Sequence, residues 1–293
     1  MEQRILTVAG LRSPALCAGD ETSPQAVVFV HGNPGSSSDW AGILEQVAPF
    51  SRALAADLPG FGKADKPADF DYTVEGYARH LGLLIASQGI QRVHLVLHDF
   101  GGPWGLQWAT DHPDQVASIT LLNIGLMPGY RWHYLARIWR TPILGELFMA
   151  MTNRPGLQLA LRHGNPRGLP PAYFDEMYAN YDAGTRRAIL KLYRNTSDLG
   201  ALADRGIAVL APRHLPALVV WGACDPYVPV KFAEVQRQFF AVERVVRLED
   251  SGHWPMIDNP TAVAEAVIPF LRKQTAQGLA RPDPHPHLEE EPS

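Results

Sequence analysis

Cysteine is nearly missing: the 293 residues hold only Cys17 and Cys224. Two thiols so placed build no metal-ligand cluster, and their scarcity fits a reducing compartment. Long apolar runs are also lacking, and none approaches the roughly 20 residues that span a bilayer. The opening "MEQRILTVAGLRS" has no apolar core ahead of a small-residue cleavage site, so no secretory leader is read there. Positive charge is not in excess. Lys and Arg number 26 against 30 Asp and Glu, a net −4 with no basic stripe, which argues against a nucleic-acid partner. These absences lead us to expect a soluble cytoplasmic protein, monomer or homodimer, with no membrane partner, metal or cofactor.

What is present is a good supply of core. Hydrophobic residues make up 46% of the chain and charged ones 19%, enough for one large α/β domain or a core with an insertion. Short aliphatic runs at 26–30, 93–97, 117–123, 217–222 and 244–248 read as strands buried on both faces, which predicts a parallel sheet covered by helices. Between the first two, "YTVEGYARHLGLLIASQGI" puts Val74, Tyr77, Leu81, Leu84 and Ile85 on one helical face, with Gly89 at the C-terminal cap. A second helix is expected over 100–112, where Gly-Gly-Pro opens the segment. Alternation of this kind predicts a doubly wound α/β fold. The rhythm breaks from about Leu126 to His214, a stretch of aromatics and helical patterns. We read core over 1–125, a helical cap over 126–214, core again over 215–275, and a proline- and acid-rich disordered tail over 276–293.

Three strand ends carry candidate chemistry. "VHLVLHDFGGPWG" sets Asp99 at a strand tip with glycines behind it. Taken alone, such an aspartate also serves as a helix N-cap. "WGACDPYVP" places Asp225 after a later strand, and "LEDSGHWPMIDNP" places His253 after the last. A candidate nucleophile, an acid and a histidine, each behind its own strand and in that order, make coincidence a poor account. "FVHGNPGSSSDW" adds His31-Gly32-Asn33-Pro34 after the first strand.

Together these motifs resemble the α/β-hydrolase fold over about residues 26–272, with Asp99 at the nucleophile elbow. No G-x-S-x-G occurs, which counts against serine esterase or peptidase chemistry. The His98-Asp99-Phe100-Gly101-Gly102 elbow is similar to the aspartate-nucleophile branch, the epoxide hydrolases and haloalkane dehalogenases. One departure is Leu97, where the fold usually has a small residue. The resemblance implies that the N–H groups of Asn33 and Phe100 converge on the nucleophile. It also implies that Asp99 forms an alkyl ester with a saturated carbon, which water activated by His253 and Asp225 then hydrolyses. A small apolar electrophile is the expected partner.

The leaving group divides the readings. For an epoxide, Tyr193-Arg194-Asn195 resembles the segment that carries a ring-opening tyrosine, and Tyr134 is a better candidate than Tyr130 for the family's other tyrosine. For a halide, Asn33 matches the halide-holding asparagine of dehalogenases, but Phe100 stands where they carry a tryptophan. Trp132 or Trp139 would have to supply that N–H from the substrate pocket. Arg131, Arg137 and Arg140 read as a solvated face rather than as holders of an acid substrate. Loss of one of two halide donors is the heavier defect, so the expectation is an epoxide hydrolase. A haloalkane dehalogenase is the alternative, and a non-catalytic small-molecule receptor is the alternative of another class.

Overall fold

One eight-stranded sheet organises the computed structural model, which describes residues 1–278 apart from Ser197. In chain order the strands are β1 (Glu2–Val8), β2 (Leu11–Ala18), β3 (Gln25–Val30), β4 (Arg52–Ala56), β5 (Arg92–His98), β6 (Val116–Leu122), β7 (Pro216–Gly222) and β8 (Ala241–Leu248). They lie side by side as β1-β2-β4-β3-β5-β6-β7-β8. Strand β2 runs antiparallel to both neighbours, and every other pairing is parallel. The β3, β5, β6 and β7 runs are mostly apolar and buried almost end to end, as strands covered on both faces must be.

Helix α1 (Ala41–Val47) packs with the last helix of the chain, and α2 (Val74–Ser87) packs with α3 (Gly101–Asp111). The five apolar residues read onto one face of α2 are all buried. Thr73 caps its start, accepting the Gly76 N–H, and Gly89 follows its end at φ +64. Between β6 and β7 lies a helical block: α4 (Tyr134–Arg140), α5 (Leu144–Met151), α6 (Arg154–Gly164), α7 (Pro171–Asn180), α8 (Ala183–Asn195) and α9 (Leu199–Leu210). It is flanked by the loops that leave β6 and enter β7. Short α10 (Lys231–Val235) and α11 (Pro255–Asp258) follow, then α12 (Pro260–Gly278). The tail boundary at 275 is therefore corrected, since helix continues through Gly278; residues 279–293 lie outside the described residues.

Three strands escaped the sequence reading. Strand β4, "RALAA", is rich in alanine, which has little intrinsic preference for strands. Strands β1 and β2 form a hairpin over the two-residue turn Ala9-Gly10, both at positive φ, a turn whose usual signature is Asn-Gly.

Candidate active site

The C-terminal ends of β3, β5, β7 and β8 meet along one edge of the sheet, where this class of fold holds its ligands. Asp99 stands between β5 and α3 at φ +48, a strained setting that lifts its carboxylate clear of the turn. Gly101 must be glycine, because a Cβ there would overlap the carbonyls of Val30 and His31. Asn33, three residues beyond β3, donates its N–H to Asp99 Oδ1 at 2.7 Å. The geometry in doubt at Leu97 is accommodated by Gly105, whose missing side chain leaves room in α3 for the leucine.

Asp99 Oδ2 lies 3.3 Å from His253 Nε2, and His253 Nδ1 lies 2.7 Å from Asp225 Oδ2. The Asp225 side chain is fully buried. It accepts N–H groups from Tyr227 at 2.7 Å and Val228 at 3.0 Å, and the Asn123 amide at 2.7 Å. Burial by itself would push the Asp99 carboxyl up, but the imidazoles of His253 and His98 and the Asn33 N–H bring it down to about 2. Burial would push His253 down, yet Asp225 and Asp99 on its two sides hold it up at about 10. At neutral pH an imidazolium therefore bridges two carboxylates. His98, pushed down to about 4 by burial and by His253, sits 2.7 Å from the His253 carbonyl and fixes that loop through Nε2.

A cavity of about 310 Å³ opens over this group, walled by Leu135, Leu157, Leu161, Ile189 and Trp254. Tyr193 lines it and is only 2% exposed; the spacing of α8 buries Ile189 and Tyr193 on the same face. The Tyr193 hydroxyl accepts the Asn33 Nδ2–H at 3.4 Å. Burial raises the Tyr193 phenol well above its ordinary value, and the Asp99 charge adds to that. Phe100 is buried edge-on against Tyr193, with ring centroids 4.9 Å apart. Trp139 lines the cavity, but its Nε1 is buried and without a partner.

Two expectations need correction. Tyr134 is 47% exposed and is not among the residues lining the cavity. His133 just before it turns inward as the cap of α4, and successive helical side chains diverge by about 100°. Trp132 stacks on Phe100 and lines a smaller adjoining space instead of the main cavity. Sequence reasoning missed His133, Tyr227, His98 and Asn123. Only Asn123 had a usable signal, a polar residue directly behind the wholly buried β6.

Known proteins resemble this chain in the same terms. A haloalkane dehalogenase of Agrobacterium fabrum is 35% identical over 136 residues, 44% of each chain. Epoxide hydrolase 3 of Xenopus tropicalis is 24% identical over 90% of this chain and 76% of its own length. The crystal structure of haloalkane dehalogenase DbeA from Bradyrhizobium elkani superposes with a TM-score of 0.82 at 25% identity, over 94% of this chain and 99% of that one. The sequence pattern of the alpha/beta hydrolase family matches residues 27–266. The chain therefore belongs to the alpha/beta hydrolase family, as an enzyme.

Proposed function

We propose that this enzyme is an epoxide hydrolase, using Asp99 to attack a saturated carbon and releasing a vicinal diol. The observation that carries the reading is Tyr193. Its hydroxyl shares the cavity with Asp99 and accepts from Asn33, so its own hydrogen is left to donate to an oxygen leaving the attacked carbon. A carboxylate suits such a carbon, because the product is an alkyl ester and not an anhydride. In-line attack breaks the ring C–O bond, whose electron pair goes to the oxygen, and forms a bond from carbon to an Asp99 oxygen. The ester is neutral, so His253 loses one of the two charges that hold its proton. That proton balances the one the alkoxide takes up. Neutral His253, held by Asp225, then draws a proton from water as it attacks the ester carbonyl, and Asp99 is regenerated. The α4–α9 block acts as a cap that shields the ester and selects a medium-sized apolar substrate.

A haloalkane dehalogenase is the second reading, favoured by the Asn33 amide beside Asp99 and by the dehalogenase relatives. Its weakness is the second halide donor. Phe100 has no side-chain N–H, Trp132 lies in the adjoining space, and the Trp139 N–H is buried. The test is the intact mass of a His253→Gln variant, which should form the ester but hydrolyse it slowly. We expect an added mass equal to a whole styrene-type epoxide, mapped to Asp99 and absent from the Asp99→Asn, His253→Gln double variant. An alkyl adduct from a bromoalkane, with none from the epoxide, would replace the reading by the dehalogenase.

A further inference from the structure

We propose that His133 is a second catalytic hydrogen-bond donor to the leaving oxygen, acting through its Nε2–H beside the Tyr193 hydroxyl. The inference rests on the epoxide reading and gives it the donor that Tyr134, turned to solvent, does not supply.

The ring's setting defines both of its nitrogens. His133 precedes α4, and its Nδ1 accepts the Ala136 N–H at 3.2 Å as the helix cap. A nitrogen that accepts carries no proton, so the neutral ring must hold its hydrogen on Nε2. Burial pushes the imidazole down to about 4, so the neutral ring is the form present at ordinary pH. Nothing among the described residues accepts from Nε2. The ring lines the same cavity as Asp99, with its centroid 6.1 Å from that of Tyr193 and nearly perpendicular to it.

The other hydroxyls of the cavity are already engaged. Tyr181 donates to Met149 sulfur, Tyr227 to the Ala160 carbonyl and Thr152 to the Phe148 carbonyl. The Trp139 N–H is buried. Tyr193 and His133 each keep a hydrogen to offer a neutral substrate oxygen. The step needs no further reactant. The imidazole polarises the breaking C–O bond and shares the alkoxide charge while keeping its own proton, and the alkoxide is protonated as described above.

The test is His133→Asn in the His253→Gln background. Asparagine preserves the cap but carries no donor at the Nε2 position. The rate of Asp99 ester formation is followed by mass with the epoxide and with a bromoalkane, whose leaving bromide takes no proton. We expect the epoxide rate to fall roughly 10-fold or more, far beyond any loss with the bromoalkane, while the melting temperature stays near that of the parent. An unchanged epoxide rate, or equal losses with both substrates, would overturn the role of His133 while leaving the epoxide reading in place. If the His253→Gln parent forms no epoxide ester at all, the epoxide reading fails, and the inference with it.

Discussion

Tyr193 packs edge-on against Phe100, and the difference between the two side chains is one hydroxyl. Tyr193→Phe keeps the ring that packs against Phe100 and removes only the donor. Epoxide opening should then slow about 100-fold, the usual loss when one donor to a developing oxyanion is removed. Displacement of bromide should fall far less. Rates measured side by side on the two substrates decide the matter, and equal losses would reduce Tyr193 to packing. At this scale the sequence was readable where a residue follows its own strand: Asp99, Asp225 and His253 come together as their positions behind β5, β7 and β8 require. Tyr134 and His133 were not separable, because adjacent helical residues differ only in direction, and direction is set by how α4 docks. His98 acts through a backbone carbonyl 155 residues away, which no local pattern announces.

The β5–Asp99–α3 element depends on a fit between Leu97 and Gly105. Leu97 is wholly buried, and a Cβ at Gly105 would overlap its Cδ2. Gly105→Ala should therefore destabilise the fold by about 1 to 3 kcal/mol through overpacking. In a Leu97→Ala background the same change should be neutral or stabilising, because the methyl enters vacated space and alanine favours helix by about 1 kcal/mol. Denaturant midpoints of the four proteins measure this coupling; additive effects would refute it. Elements with one dominant signal were legible from sequence. Strands β3, β5, β6 and β7 are aliphatic runs, and α2 carries both period and caps. The edge strands β1 and β2 expose alternate residues and meet at an uncommon turn, so their pairing is visible only across the sheet.

Across the whole molecule, helical block and sheet meet at a buried acid. Asp39, 5% exposed beside β3, accepts the Tyr173 hydroxyl of α7 at 3.0 Å, and its other oxygen is buried without a partner. Burial raises this carboxyl to about 7, the Tyr173 hydrogen bond opposes the rise, and Asp57 and Glu176 add to it. The unfolded chain gives up the proton near pH 4, but the folded protein keeps it to about pH 7. Ionisation therefore favours unfolding, and stability falls as the pH rises between those values. Asp39→Asn cannot ionise. It should be more stable than the parent at pH 8 by about 4 kcal/mol, with the gap closing toward pH 4. Guanidinium unfolding at several pH values tests this, and a less stable variant at pH 8 would disprove it.

The block leaves the core after β6 and returns at β7, and these two strands are neighbours in the sheet. The parallel β6–β7 pairing fixes the points of departure and return, and Asn123 ties the end of β6 to the far end of β7, accepting the Gly222 N–H at 2.9 Å and donating to Asp225. The ends of the excursion are thus held together by the core itself, whatever the excursion contains. Closing such a loop grows harder only with the logarithm of its length, about 0.6 kcal/mol for each doubling. Evolution can lengthen, shorten or exchange α4–α9 without rebuilding the sheet, so substrate range can drift while the strand-borne chemistry is inherited intact.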